Sequence, residues 1–283
     1  MILQPFSYDI ADYPEGIVLP IDKPYRWTSA DVIRKLKYAA VRHFGKKNLK
    51  IGHAGTLDPL ATGILLVCIG PATRRAEELQ RSPKQYLAGV TFGAVTASYD
   101  LEKDIERFCP LDGVSEESIK QILPRFTGEQ EQVAPLFSAK SVDGVRMYET
   151  ARKMLREARE QGREFDPGDI LQSSLINIYD LGLERFIPSD RLFEALPVTE
   201  ADTQRSARIN VADISSCALP TAMLRVDCSK GTYIRALARD LGEALGSGAF
   251  LSSLRRTKNG GFDIKDAVSL QDALDALPPR QDF

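Results

Sequence analysis

Histidine and cysteine are scarce in this chain. Its 283 residues contain two histidines and four cysteines, which are Cys68, Cys109, Cys217 and Cys228. The cysteines form no C-x-x-C pair, and no group of cysteines and histidines has the spacing of a zinc site. We therefore expect no metal centre. Buried free thiols are the natural interpretation of such cysteines, and they are typical of the reducing cytoplasm.

Long hydrophobic runs are also absent. The longest continuous apolar segment, Ile64 to Ile69, is far shorter than the roughly 18 residues that span a bilayer. The opening segment MILQPFSYDIADYPEG contains acids and no basic residue, unlike a secretory signal. These features predict a cytoplasmic protein with no membrane partner.

Neither sign of charge is in excess. The 37 Lys and Arg residues nearly balance 39 Asp and Glu residues, which taken alone argues against a nucleic-acid partner. However, seven basic residues and no acid lie between Arg34 and Lys50. A second basic set lies in the last third of the chain and consists of Arg225, Lys230, Arg235, Arg239, Arg255, Arg256 and Lys258. Such segments can neutralise a phosphate backbone locally, although solvated helix faces are the commoner cause of a charged run.

Apolar patterning predicts strands mixed with helices. The predicted strands are Ile17–Ile21, Gly63–Ile69, Lys84–Gly93, Leu171–Phe186 and Thr221–Ser229. Helices are predicted after the capping residues Thr28 or Ser29, Ser115 and Thr232, and in the charged stretch between Tyr148 and Gln172. Because the strands cluster and do not alternate strictly with helices, an α+β fold is favoured over a doubly wound parallel sheet.

Asp58 lies in the most unusual segment, GHAGTLDPLATG, which runs from Gly52 to Gly63. This segment has more glycine, threonine and proline than a simple turn needs. Pro59 biases the residue before it toward an extended backbone, which holds the Asp58 carboxylate in one direction. That carboxylate could be a nucleophile or a general base, but the commoner role of such an aspartate is to accept a backbone N–H in a turn.

Signatures of nucleotide and phosphate chemistry are absent. The sequence has no G-x-x-x-x-G-K-[ST] loop and no G-x-S-x-G elbow. An aspartyl-phosphate mechanism is disfavoured, because Leu60 stands where a second carboxylate would bind magnesium. We therefore expect no cofactor.

The segment from Gly52 to Arg74, GHAGTLDPLATGILLVCIGPATR, resembles the catalytic signature of the TruB family of tRNA pseudouridine synthases. Five further segments extend the resemblance in the same order: IDKPYRWTSADVI, KQYLAGVTFGAVTASYDLE, PLFSAKSVDGVRMYETAR, KGTYIRALARDLGEALG and LSSLRR. Together they run from about Ile21 to Lys258. One such motif is weakly specific, but six in order are highly specific.

The resemblance implies a fold, an activity and a set of site residues. The implied fold is a mixed, largely antiparallel central sheet flanked by helices and loops, as in pseudouridine synthases. The implied activity is isomerisation of a uridine in the TΨC loop of tRNA without cofactor or metal. By resemblance, Asp58 is the essential carboxylate and attacks the nucleoside, Tyr86 stacks on the flipped base and is a candidate proton acceptor, and Arg235 pairs with Asp58.

Further residues receive roles from the same resemblance. His53 is implied to insert into the RNA loop, and Tyr233 and Leu254 to line the uracil pocket. Lys23 and Pro24 match a motif that supports the catalytic loop. The implied partner is the TΨC arm of tRNA, and we expect a monomer.

The sequence also departs from the family pattern. Tyr25 replaces a usual glycine, and Ser141 stands at a usual lysine position. The region from about 153 to 202 is longer and more charged than expected, and we interpret it as an expansion. Since only 27 residues follow Arg256 in the 283-residue chain, we expect one catalytic domain, with a core of about 17–262, and no PUA domain.

Two other functions stay open on the sequence alone. One is a non-catalytic module that binds or folds RNA through the same pocket. The other is a nucleoside hydrolase that uses a carboxylate to cleave the glycosidic bond. The hydrolase would release free uracil, whereas an isomerase leaves the mass of the RNA unchanged.

Overall fold

The computed structural model describes residues 4–135, 141–142, 145–146, 173–189 and 209–280. The strands of this part are β1 (Ile17–Lys23), β2 (Ile51–His53), β3 (Ala61–Ile69), β4 (Lys84–Phe92), β5 (Ala94–Thr96), β6 (Ile105–Phe108), β7 (Gly128–Val133), β8 (Ser141–Val142), β9 (Val145–Arg146), β10 (Ser173–Ile187), β11 (Thr221–Cys228), β12 (Ala249–Asn259), β13 (Phe262–Asp263) and β14 (Val268–Ser269). The α-helices are α1 (Ser29–Phe44), α2 (Ala76–Arg81), α3 (Glu116–Ile122), α4 (Ile234–Ala244) and α5 (Leu270–Asp275), with 3₁₀ helices at Ile10–Asp12, Gly70–Arg75, Leu123–Phe126 and Ile264–Asp266.

One mixed sheet dominates the described residues. Its strand order is β14-β1-β3-β12-β4-β11-β10-β7, and β2 and β13 pair with β3 and β12. The pairs β1–β14 and β3–β12 are parallel, and the other pairs of this sheet are antiparallel. The predicted α+β class with a largely antiparallel sheet is therefore confirmed.

The central strands β3 and β4 are buried, and their sequences show it in different ways. Every residue of β3 is buried, as expected for a strand covered on both faces. On β4, which confirms the strand predicted over Lys84–Gly93, the alternate residues Tyr86, Ala88, Val90 and Phe92 share one face and are all buried. These strands carry the core on which the site is built.

Helix α1 follows its predicted signals. The Thr28 side chain accepts a hydrogen bond from the Asp31 amide, and the Asp31 side chain accepts one from the Thr28 amide, which completes a capping box. Leu36 and Ala40 are fully buried on one helix face, and Gly45 ends the helix at a φ of 61°. This left-handed conformation favours glycine.

Thr232 does not cap α4, so that prediction is wrong. The capping residue is Tyr233, and its side chain makes no capping hydrogen bond. The Thr232 hydroxyl instead donates to the Ser229 carbonyl at 3.0 Å, within the turn before the helix. The Tyr233 amide donates at 2.8 Å to the Gln132 side chain, so a neighbouring strand supplies an acceptor.

The second basic set does not form one cationic surface. Arg235 and Arg256 are buried, and Arg255 pairs with Asp22 at 2.7 Å. Arg225 is surrounded by the carboxylates of Asp180, Glu184 and Asp227. The guanidinium of Arg239 pairs with Asp240 at 2.7 Å and packs 5.5 Å from the centroid of the Tyr99 ring. Most of this positive charge is therefore neutralised or buried.

The charged stretch of the middle region lies mostly outside the described residues. This applies to the helix predicted between Tyr148 and Gln172 and to most of the region 153–202. Residues Ser173–Ile187, inside that region, form β10 and pair with β7 and β11. That part of the supposed expansion therefore belongs to the central sheet.

Two expectations from composition can be compared with the fold. All four cysteines are free, but only Cys68 and Cys228 are buried, while Cys109 and Cys217 are half-buried. None of the helices in the described ranges is long and apolar enough to cross a membrane.

Candidate active site

The loop between β2 and β3 carries Asp58, and hydrogen bonds hold its backbone from Ala54 to Pro59. Each carbonyl from Ala54 to Pro59 accepts a hydrogen bond. The donors are Asn259 Nδ2 to Ala54 (3.4 Å), Arg256 to Gly55 (3.1 Å) and Thr56 (3.4 Å), Ser29 Oγ to Leu57 (3.0 Å), the Ala61 amide to Asp58 (3.1 Å) and Lys23 Nζ to Pro59 (3.2 Å). Because the side-chain donors belong to β1, α1 and β12, three separate elements fix this loop. Lys23 thus supports the loop, as its motif implied.

Asp58 forms a two-point ion pair with Arg235 of α4. Arg235 Nε lies 3.0 Å from one carboxylate oxygen and Nη2 lies 3.4 Å from the other. Such a pair fixes the plane of the carboxylate as well as its position. The Arg235 side chain is 7% exposed, whereas the Asp58 side chain is 36% exposed. The buried guanidinium therefore fixes the Asp58 carboxylate, which remains partly exposed to the pocket.

Asp100 is a second carboxylate at the same guanidinium, and sequence reasoning gave it no role. Its Oδ2 lies 3.7 Å from Arg235 Nε, and Arg235 Nη1 donates to the Ser98 carbonyl at 3.1 Å. Tyr99, which lies between Ser98 and Asp100 in sequence, has a φ of 55°, a strained value for a tyrosine. The available signal was the T-x-x-x-D spacing, in which the Thr96 hydroxyl donates to the Asp100 carbonyl at 2.7 Å.

The charges around Arg235 shift the pKa values of the groups that contact it. Burial by itself lowers the pKa of Arg235, but the carboxylates of Asp58 and Asp100 raise that pKa above its ordinary value. Burial raises the pKa of Asp100, which the Arg235 charge offsets only in part. The guanidinium therefore remains cationic and holds Asp58 in place.

Tyr86 of β4 packs beside this pair with its ring almost fully buried. Burial raises the pKa of the Tyr86 hydroxyl, which the charge of Arg256 and a hydrogen bond to that residue counteract only partly. Tyr86 therefore keeps its proton at neutral pH. It offers an aromatic ring and a polar O–H group at the same place.

These residues meet in one pocket of about 610 Å³. That volume lies within the usual range of sites for small ligands. Five of the six predicted site residues line it, namely Asp58, Tyr86, Tyr233, Arg235 and Leu254. Arg81 of α2, Leu175 of β10, Lys84 and Lys230 also line the pocket. The structure thus brings together residues that are far apart in sequence.

His53 is the predicted site residue that does not line this pocket. It is half-buried at the end of β2, opposite Val67 of β3. Burial and the nearby Arg256 lower the pKa of the imidazole. Among the described residues, its buried Nδ1 has no hydrogen-bond partner.

Gln132 is another residue that sequence reasoning missed. Its side-chain amide donates at 3.1 Å to the Tyr233 carbonyl, and its amide oxygen accepts at 2.8 Å from the Tyr233 N–H. This buried two-way contact joins β7 to the start of α4. It therefore positions Tyr233 and, two residues later, Arg235.

The described residues contain no cluster of three or more His, Cys, Asp or Glu side chains that could hold a metal ion. The pocket instead contains the ion pairs Asp58–Arg235 and Glu77–Arg81, and the cations of Lys84, Lys230 and Arg256. Their arrangement can present one oriented carboxylate to a neutral or cationic centre.

Glu102 makes the stability of the fold depend on pH. Burial, followed by the neighbouring Asp100 carboxylate, raises its pKa from 4.5 to about 7. Between these values the folded chain holds a proton that the unfolded chain releases, so stability falls as pH rises from about 4.5 to about 7. We expect Glu102→Gln to flatten this fall in urea denaturation curves recorded from pH 5 to pH 8.

Glu106 of β6 is exposed and provides the matched control. Glu106→Gln is expected to leave the dependence of stability on pH as it is in the unaltered protein. Identical curves for the two variants would contradict the assignment of the effect to Glu102.

Family models match two parts of the chain. The model described as TruB family pseudouridylate synthase, N-terminal domain, matches residues 42–177. The model described as tRNA pseudouridylate synthase B C-terminal domain matches residues 235–281. The first contains Asp58 and Tyr86, and the second begins at Arg235.

Curated proteins and solved structures give the same assignment. The chain is 40% identical to tRNA pseudouridine synthase B of Phocaeicola vulgatus over 260 residues, and the aligned region covers 92% of each protein. It is 35% identical to the protein of that name from Deinococcus deserti, over 92% of this chain and 79% of that one.

A crystal structure of a Cbf5-Nop10-Gar1 complex contains a chain that matches with a TM-score of 0.58 and 25% identity, over 94% of this chain and 56% of that one. The present chain therefore spans little more than half of that neighbour. A structure of an H/ACA RNP bound to a substrate RNA containing 2'-deoxyuridine matches with a TM-score of 0.55 and 24% identity, over 96% and 57% of the two chains, and shares the fold. The chain belongs to the TruB family of pseudouridylate synthases, which are isomerases.

Proposed function

We propose that this chain converts a uridine of tRNA to pseudouridine, with Asp58 as the nucleophile. The observation that carries the proposal is the Asp58–Arg235 pair, with contacts of 3.0 and 3.4 Å, in a pocket also lined by Tyr86. Relatives of 40% identity named tRNA pseudouridine synthase B support the choice of tRNA as substrate.

The reaction requires no external atoms or electrons. The C1′–N1 bond of the uridine breaks, a C1′–C5 bond forms, C5 loses a proton and N1 gains one. Asp58 suits the first step, because an oriented carboxylate can attack the sugar carbon or stabilise positive charge that develops there. Arg235 keeps it aimed at that carbon.

The detached base has to stay in the pocket while it turns. The Tyr86 ring provides a stacking surface, and Tyr233 and Leu254 line the space around it. Since Tyr86 holds its proton at neutral pH, its hydroxyl can donate a hydrogen bond to the base without any prior proton transfer. Its action as a proton acceptor requires that it first pass that proton on.

The finer assignments belong to the same proposal. The substrate uridine lies in the TΨC loop, and His53 enters the RNA loop beside it. The enzyme acts as a monomer in the cytoplasm, with one catalytic domain built on the central sheet. A TΨC stem–loop alone should then serve as a substrate.

The deciding experiment uses an unmodified tRNA transcript labelled with tritium at C5 of uridine. An isomerase releases tritium to water, because C5 loses its hydrogen when the new bond forms. Apart from this exchange of hydrogen, the mass of the RNA does not change. A hydrolase would release labelled uracil, and a non-catalytic module would release nothing. Either of these last two results would overturn the proposed function.

A further inference from the structure

A second concave surface lies outside the catalytic pocket. It is a cleft of about 510 Å³ between the middle of α1, the turn that follows that helix, the start of β2 and the 3₁₀ helix Gly70–Arg75. Lys37, Lys47 and Lys50 line it, together with the polar side chains of Asn48 and Thr73. We call this surface the lysine cleft.

The charge of the lysine cleft is not compensated by the protein. All three lysines are exposed, and the lining residues include no acid. Within the described ranges, no ion pair joins Lys37, Lys47 or Lys50 to a carboxylate. Cations gathered in a concavity produce a focused positive potential that attracts polyanions.

The contrast with the second basic set decides which segment is available for a polyanion. Arg225 faces three carboxylates, Arg255 faces Asp22, and Arg235 and Arg256 are buried. Of that set, Lys230 and Lys258 are exposed and have no ion pair within the described ranges. The segment that contains the lysine cleft has more such charge: its lysines that are exposed and have no ion pair there are Lys35, Lys37, Lys46, Lys47 and Lys50.

The lysine cleft lies close to the catalytic loop along the chain. Its lining residues include Gly52 of β2, and Asp58 follows only six residues later. Six residues span at most about 22 Å even when fully extended. This is less than one turn of a nucleic-acid duplex, which is about 34 Å. An RNA whose uridine occupies the pocket therefore has neighbouring phosphates within reach of the cleft.

Helix α1 also carries an exposed aromatic residue, which does not line the cleft. Tyr38, next to Lys37, is 65% exposed, and the Arg42 guanidinium lies 5.4 Å from its ring centroid. Basic residues interleaved with an exposed aromatic ring are typical of surfaces that contact nucleic acid.

We propose that the lysine cleft binds the sugar–phosphate backbone of the substrate RNA next to the nucleotide in the catalytic pocket. This inference rests on the proposed function and adds to it a second contact that positions the RNA without reading its bases. Lys37, Lys47 and Lys50 neutralise phosphates, and the side-chain amide of Asn48 supplies a hydrogen-bond donor.

The test compares two double variants of the full chain that remove the same charge from the same segment. Lys47→Ala/Lys50→Ala changes the cleft, and Lys35→Ala/Lys46→Ala removes two exposed lysines that do not line it. Binding to an unmodified tRNA transcript is measured between 50 and 200 mM salt. We expect the cleft variant to bind about tenfold more weakly at 100 mM salt, with a log–log salt slope reduced by about 2. The control should stay within about twofold of the unaltered protein.

Equal weakening in both variants would overturn the proposal, because diffuse attraction by the whole segment would then account for binding. Unchanged binding by the cleft variant would overturn it as well. Tritium release at saturating tRNA is recorded separately and should be the same in the cleft variant, since no catalytic residue is altered. If the unaltered protein released no tritium while the binding difference persisted, the proposed function would fail and the lysine cleft would stand as an RNA-binding surface.

Discussion

Asp58→Asn is expected to lower the single-turnover rate of tritium release from C5-labelled tRNA by at least about three orders of magnitude. The amide is nearly the same size as the carboxylate but is not a nucleophile. Arg235 keeps Asp100 as a partner at 3.7 Å, so the fold and the pocket should persist. We therefore expect tRNA to bind within about twofold of its affinity for the unaltered protein.

Asp22 supplies a matched control for this variant. It also pairs with an arginine, Arg255 at 2.7 Å, and accepts the Gly63 amide at 3.1 Å, yet it does not line the pocket. Asp22→Asn should retain most of the activity. Equal product from Asp58→Asn and the unaltered protein would rule out Asp58 as the nucleophile, and loss of tRNA binding would show that the variant had lost more than its nucleophile.

Arg256→Met is expected to lower the free energy of unfolding by about 3–5 kcal/mol. The side chain is almost fully buried and donates to the carbonyls of Gly55, Thr56 and Ile64. Methionine fills similar space and leaves three buried acceptors without that donor. Activity should fall too, because the backbone that leads to Asp58 loses its support from β12.

The adjacent Arg255 tests whether this effect depends on burial. Its side chain is 38% exposed and bonds to Asp22 and Thr62, so Arg255→Met should cost about 1 kcal/mol or less. Urea denaturation of the two variants under the same conditions gives the comparison. Similar losses in both would contradict the bracing role assigned to Arg256.

The parts of the fold that were predictable depend on local pattern. Strand β4 alternates with a period of two, β3 is a continuous apolar run, and Thr28 stands three residues before Asp31 at the start of α1. Each of these features is decided by neighbours in sequence. Thr232 has the right residue type for a cap as well, but Gln132, about a hundred residues away, satisfies the start of α4 instead.

The candidate site divides in the same way. Asp58, Tyr86 and Arg235 could be proposed because they occupy motif positions. The T-x-x-x-D spacing marks Asp100 but not its partner, and no local pattern marks Gln132. Their contacts with Arg235 and Tyr233 exist only after distant segments pack together. The second basic set illustrates the opposite error, in which the sequence indicates a positive surface that the fold does not form. The cations are visible in the sequence, but the carboxylates that pack against Arg225 are not.

The position of β12 governs the order in which the enzyme can be built. This strand, Ala249–Asn259, lies between β3 and β4, although more than 150 residues separate it from either of them in sequence. Until it is synthesised, the chain consists of two half-sheets with open edges, one leading to Asp58 and the other carrying Tyr86. A growing polypeptide therefore has no catalytic pocket until nearly all of the described fold has left the ribosome. During that interval the edge of β4, which β12 later covers from Lys84 to Phe92, is open to pairing with other chains, which makes synthesis the period of greatest aggregation risk.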